Sequence, residues 1–186
     1  IKAKETIQFI KDKKWNSALK SASKVKDREF RNLITWMYLK TTRNGASFNE
    51  YKNFIEQNNN YPRINRIRFL AESKIYLRNN SPTSIINWFD KYPPLGGMGK
   101  IKLAEAYLEK GQADKVGELI KVGWENATIS KNDLGYYRAK FKKFIDSEDH
   151  IKRADYLAWE KKYWDLKRML KYLPKDQRAL YNARQI

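Results

Sequence analysis

The chain has 186 residues, 41% of them hydrophobic and 14% aromatic, enough to bury a core and too apolar for a disordered chain. It contains no cysteine and one histidine, which excludes disulfides, thiolate metal sites, cysteine nucleophiles and every two-histidine scheme. Against 21 acidic residues stand 39 Lys and Arg, a formal charge of +18 that suits a polyanionic partner: nucleic acid, an anionic membrane surface or an acidic cell-wall polymer. Scattered lysine among Asn and Ile, as an AT-rich genome produces, explains much of the same excess.

In chain order, Thr6 to Lys11 reads as a short helix, and Trp15, Ala18, Leu19 and Ala22 recur at spacings of three and four. Asp27 is placed to cap the next helix, which carries Phe30, Leu33, Ile34, Met37, Tyr38 and Leu39 and stops before Asn44-Gly45. Ser47 with Glu50 three residues on is a capping box for a helix whose inner face is Phe48, Tyr51, Phe54 and Ile55. The pattern from Ile64 predicts a helix to about Leu77, and Ser81-Pro82 opens the next, ended by Tyr92-Pro93-Pro94. Gly96-Gly97-Met98-Gly99 lacks the Gly-Lys-Ser/Thr ending of a phosphate loop and no strand precedes it, so it reads as a flexible connection.

Between Gly99 and Asn126 lies a helical hairpin with Ile101, Ala104, Tyr107 and Leu108 on one stripe, Val116, Leu119, Ile120 and Trp124 on the next, and Gly111 at the break. Ser130 and Asp133 open a helix bearing Leu134, Tyr137, Phe141, Phe144 and Ile145; Ser147 to His150 starts another with Ile151, Ala154, Leu157 and Ala158 inward. Trp159 and Trp164 flank a tight join, Pro174 breaks the chain again, and 176–186 form a last helix. No segment alternates with period two. The expectation is an all-α protein, a right-handed superhelix of stacked antiparallel helix pairs, an α-solenoid of tetratricopeptide-like kind, spanning 1–186 as one domain.

No active site assembles from these residues. His150, in the first turn of a helix beside Glu148 and Asp149, is expected to cap or pack, and no Gly-flanked serine makes a nucleophile elbow. Glu72, Glu105, Glu109, Glu118 and Glu160 are expected on solvated helix faces, where nothing would raise a carboxyl pKa for acid catalysis. No catalytic residue, metal ligand or cofactor site is assigned. The candidate binding residues are the densest basic stretch, Arg138, Lys140, Lys142, Lys143, Lys152 and Arg153, with the neighbouring aromatics Tyr136 and Tyr137; Trp159, Tyr163, Trp164 and Tyr172 are further possible stacking platforms, most of which must be core. No apolar run reaches the roughly 20 residues of a membrane span. The chain opens on Ile1-Lys2-Ala3-Lys4 without Met or a signal-peptide core, so a leader removed or omitted upstream, and hence export, is expected.

The segment Asn65-Arg66-Ile67-Arg68-Phe69-Leu70-Ala71-Glu72-Ser73, then Asn87 to Pro93, Gly99 to Gly111 and Ile120 to Trp124 resembles the N-terminal superhelical (U-type) region of soluble lytic murein transglycosylases, in the order seen in alphaproteobacterial members. The likeness continues through Asp149-His150, Arg153, Asp155, Leu157 and Trp159, then Arg168-Met169-Leu170, and ends with Arg178, Ala183 and Arg184. It is stronger over 61–186; residues 1–60 match only in being helical. The resemblance implies a periplasmic protein of peptidoglycan turnover, with glycan strands as partner, beside a lysozyme-like catalytic domain that cleaves glycan to 1,6-anhydromuramic ends. That domain's catalytic glutamate, its Glu-Ser pair and its Gly-Leu-Met-Gln stretch are not found here. The resemblance therefore transfers no catalytic residue, and implies a superhelical part that positions glycan strands. The alternative is a helical-repeat scaffold for a protein or peptide; nucleic acid rests on charge alone.

Overall fold

A computed structural model describes residues 2–183. Arg184, the last residue of the resemblance, and the end of the final predicted helix lie outside the described residues, as does Ile1. Among the described residues the chain forms twelve α-helices and no strand, so the all-α expectation holds. They divide into two compact units, residues 1–74 and 75–186.

The first unit contains α1 (Lys2–Lys11), α2 (Trp15–Ala22), α3 (Arg28–Leu39), α4 (Phe48–Gln57) and α5 (Ile64–Glu72). Each helix packs on the next, and α3 also meets α5. Ala18, Ile34, Leu39, Tyr51, Ile55, Ile67 and Ala71 are its buried centre, the residues their helical periods nominate. The caps form as the sequence predicts. The Asp27 carboxylate accepts from the Glu29 and Phe30 amides, and Ser47 with Glu50 completes a reciprocal capping box.

The predicted helix from Ile64 to Leu77 is cut short at Glu72. Ser73 Oγ donates back to the Leu70 carbonyl, and Lys74 Nζ donates 2.7 Å to the Asn44 carbonyl thirty residues away, so one local and one long-range side-chain bond hold the chain where the hydrophobic period alone would continue to Ile75.

The second unit contains α6 (Pro82–Lys91), α7 (Gly97–Glu109), α8 (Val116–Asn126), α9 (Lys131–Lys140), α10 (Ser147–Trp159), α11 (Tyr163–Met169) and α12 (Lys175–Ala183), with 3-10 turns at Ala113–Lys115 and Leu170–Tyr172. Helix α7 packs between α6 and α8, and α10 packs on α8, α11 and α12. One core joins Ile101, Ile120, Trp124, Phe141, Leu157, Met169 and Tyr181.

Gly97 and Gly99 are helical, not a flexible connection: Gly96 is the N-cap of α7. The reason is a close crossing. A Cβ at Gly97 would stand 2.6 Å from the Ala127 amide nitrogen, and one at Gly123 would stand 2.9 Å from the Gly97 carbonyl oxygen. Glycine lets the start of α7 lie against the end of α8.

One turn recurs where helices reverse. At Lys13, Gly111 and Lys161 φ is +57°, +71° and +55°, and the following amides of Lys14, Gln112 and Lys162 return to the carbonyls of Phe9, Tyr107 and Leu157, five residues back. This left-handed exit with a six-to-one hydrogen bond is a Schellman closure, which ends α1, α7 and α10 and sends the chain directly into the next helical segment. The same backbone device thus ends three helices among the described residues.

Candidate functional site

Two features of the second unit include some of the residues that sequence reasoning nominated: Lys152 and Trp159 at one, Tyr136 and Tyr137 at the other. The larger is an open cleft of about 810 Å³ on α8 and α10, lined by Glu125, Lys152, Asp155, Tyr156, Ala158 and Trp159. Trp159 is the last residue of α10, just before the turn at Lys161, and it is 85% exposed. Lys162 lies over the Tyr156 ring at 5.0 Å, and the Asp155 carboxylate accepts from the Tyr181 hydroxyl at 2.6 Å. Trp164 on α11 is 74% exposed, with Lys167 over its ring at 5.6 Å. A flat ring open to water, with carboxylates and an ammonium at its margin, offers stacking plus hydrogen bonds of both polarities to a polyhydroxylated or peptide-bearing ligand.

The eight nominated binding residues do not form one patch. Arg138, Lys142, Lys143 and Lys152 are exposed; Lys152 joins the Trp159 cleft and pairs with Glu148 at 3.0 Å, while the Arg138 guanidinium lies over the Tyr172 ring at 4.4 Å. Arg153 is 1% exposed and belongs to the core, donating to the carbonyl oxygens of Trp124 and Ala127 at 2.5 and 2.9 Å. Burial drives its pKa down to about 10, so the guanidinium stays charged at neutral pH. Tyr137 is buried as well, beside Phe141. His150 packs inside, where its Nδ1 accepts from the Trp124 indole at 3.1 Å, and burial followed by the nearby Arg138 lowers its pKa.

The second feature is a cavity of about 210 Å³ between the 76–78 segment, α7 and α9. Its walls include Glu105, and here the expectation of solvated glutamates fails: Glu105 is 3% exposed and Glu72 is buried too. Helix α7 is covered on several sides, so its polar residues have nowhere to reach water. Glu105 Oε1 accepts from the Tyr136 hydroxyl at 2.5 Å and from Lys140 Nζ at 3.1 Å, and Lys140 also reaches Glu109 at 2.7 Å. Burial works against the Lys140 ammonium, but its bonds to Glu109 and Tyr136 hold its pKa above the usual lysine range. Tyr136 is raised by burial and by its bond to Glu105.

Lys102, which the sequence reading did not nominate, is 1% exposed, and its Nζ has no hydrogen-bond partner. It rests 3.8 Å over the Tyr76 ring and 5.4 Å from that of Tyr137. Burial pushes its pKa down to about 8, against the pull of Glu105 and Asp133. The signal was present in Ile101-Lys102-Leu103-Ala104-Glu105-Ala106, where apolar residues flank the charges on every side of the helix.

The depressed pKa has a sign. Between about pH 8 and 10.5 the unfolded chain keeps the Lys102 proton that the folded chain has lost, so stability from this group rises with pH across that window and is lowest below it. Lys102→Met, which keeps the volume without the charge, is expected to stabilise the protein at pH 7 by about 1–3 kcal/mol. Its advantage over the wild type should vanish by pH 10.5 when both are melted across that range. A variant less stable at pH 7 would contradict the buried, unpartnered ammonium.

A third cleft, of about 500 Å³, lies in the first unit, where Lys13, Lys14 and Arg43 are its charged lining residues beside Trp15 and Tyr38. Among the described residues no cluster of His, Cys, Asp and Glu could hold a metal ion, and no helix is long and apolar enough to cross a membrane. Comparison of the chain with protein-family models, with curated proteins and with solved structures finds no match. The fold and clefts define an all-α protein of reversing helices carrying a basic, aromatic surface.

Proposed function

We propose that this chain is the superhelical, non-catalytic part of a periplasmic peptidoglycan lytic transglycosylase system, and that it positions glycan strands for a separate catalytic domain. The observation that carries the reading is the Trp159 cleft: a ring almost fully open to water at a helix end, with Lys152, Asp155 and Glu125 around it, on a chain of charge +18. Glycan strands bearing lactyl and peptide carboxylates present both apolar sugar faces for the ring and anionic groups for the lysines. Individual surface contacts of this kind are weak and screened, so affinity comes from many along a strand. The resemblance of residues 61–186 to the transglycosylase superhelix supports the same partner and a periplasmic location.

Co-sedimentation with purified peptidoglycan tests it. The protein is expected to pellet with the polymer at low salt, to be released steeply as salt rises, and to lose several-fold in affinity on Trp159→Ala without a change in melting temperature. Absent or salt-independent binding would count against the reading. The three Schellman turns favour a second reading, a helical-repeat scaffold for a protein or peptide. Recovery of one stoichiometric protein partner with no affinity for glycan would select it.

A further inference from the structure

The cleft of the first unit, about 500 Å³ between the start of α2 and the loop after α3, differs from the Trp159 cleft in its charge. Lys13, Lys14 and Arg43 line it and no acidic residue does, whereas Glu125 and Asp155 line the other. Among the described residues none of these three cations is ion-paired, while Lys121, Lys140 and Lys152 in the second unit each hold a carboxylate at 3.2, 2.7 and 3.0 Å. All three are exposed, and their side chains are long enough to turn into the cleft from its walls. Unpaired cations around a concavity focus a positive potential there. Asn16, Ser17 and Thr42 add an amide and two hydroxyls whose side chains make no hydrogen bond among the described residues. Half-buried Trp15, its ring 5.8 Å from that of Tyr38, supplies an apolar wall.

The loop that carries Arg43 is fixed in place. Asn44 Nδ2 donates to the Thr41 carbonyl at 3.0 Å and to the Tyr51 hydroxyl at 2.8 Å, and Asn44 Oδ1 accepts from the Ala46 amide at 3.1 Å. Lys74 Nζ donates to the carbonyl of the same asparagine. Arg43 stands at φ +56° within this frame, a left-handed conformation that Asn and Gly adopt more easily than a longer side chain. A pinned loop holds its cation at the cleft before any ligand arrives, which lowers the ordering cost of binding.

We propose that this cleft binds a small phosphate monoester, with the phosphoryl group among Lys13, Lys14 and Arg43 and an organic ring against Trp15. A phosphate monoester carries nearly two negative charges at pH 7, which suits three unpaired cations better than a monocarboxylate does, and the planar guanidinium matches two phosphoryl oxygens. The Ser17 and Thr42 hydroxyls and the Asn16 amide are the neutral donors for the remaining oxygens. The volume falls in the range of small-molecule sites and exceeds what a bare phosphate fills, so the ester carries a ring or sugar of its own. No carboxylate or imidazole lines the cleft to activate water, so the ester is held and not cleaved. This cleft shares no residue with the Trp159 cleft, so glycan binding and phosphate binding stand or fall separately.

The test is an amide NMR titration of the full chain at constant ionic strength with adenosine monophosphate, ribose 5-phosphate, inorganic phosphate and adenosine. Saturable shifts at residues 13–17 and 41–45 are expected with both esters, strongest with adenosine monophosphate, weaker with inorganic phosphate and absent with adenosine. Arg43→Gln and Lys14→Gln, both at exposed positions, should each reduce ester affinity about threefold to tenfold with the melting temperature unchanged. Trp15→Leu should bring adenosine monophosphate down to the affinity of ribose 5-phosphate. Adenosine binding as tightly as its monophosphate, inorganic phosphate binding as tightly as the esters, undiminished affinity in Arg43→Gln and Lys14→Gln, or no saturable shift at these residues would overturn the proposal.

Discussion

Arg153→Ala is expected to destabilise the second unit by about 3–5 kcal/mol. The guanidinium is buried where α8 ends and donates to the carbonyls of Trp124 and Ala127, two of the acceptors that a helix terminus leaves without an intrahelical donor. Truncation leaves both acceptors dry and unpaired and opens a void against the Trp124 indole, over which the guanidinium lies at 5.4 Å. Arg153→Met refills the space without the donors and should recover part of the loss; the difference between the two variants isolates the hydrogen bonds. Urea unfolding followed by tryptophan fluorescence reads it, with the midpoint falling and the slope unchanged. A loss below about 1 kcal/mol for Arg153→Ala would mean that the guanidinium is not the α8 terminus partner described here.

Gly97→Ala carries the second large expected effect, a loss of about 2–3 kcal/mol. The added methyl would overlap the Asn126 side chain and the backbone of Ala127, and backbone cannot turn aside as a flexible side chain can. Helices α7 and α8 must move apart, which loosens Ile101 and Ile120 in the same core. Gly117→Ala is the control: it is inside α8 with open space at its Cβ, so the better helix former should stabilise by about 0.5–1 kcal/mol. If both variants shift stability alike, helix propensity rather than the close crossing governs the two positions.

These two positions also show what a sequence makes legible. Helix starts were readable because their signals are local: Asp27, Ser47 with Glu50, Ser81 before Pro82, and Ser130 each sit within three residues of the amide they accept from. Helix ends and burial were less so. The end of α5 depends on Lys74 reaching Asn44, thirty residues away, and the helical state of Gly97 and Gly99 depends on α8 lying across them.

The same distinction divides the candidate sites. Tyr136, Lys152 and Trp159 were visible as aromatic and basic residues, but which of them faces solvent is a property of the packing of α10 on α8 and α11. Arg153 and Lys152 are neighbours in sequence and opposite in fate, one in the core and one on the cleft. Glu105 passed as a surface charge, and Lys102 drew no notice, because period analysis scores one helix at a time, whereas α7 meets both α6 and α8.

The central claim is that a glycan lies on Trp159. Indole NMR resolves it directly, since each tryptophan has its own Nε1–H signal and the ring environments differ: Trp124 is buried and bonded to His150, Trp36 donates to the Pro62 carbonyl, and Trp159 and Trp164 are open. On titration with soluble disaccharide-peptide fragments of peptidoglycan, the Trp159 signal is expected to move and saturate while that of Trp124 stays fixed. Unchanged Trp159 and Trp164 signals, or movement confined to Trp15 and Trp36, would contradict the account.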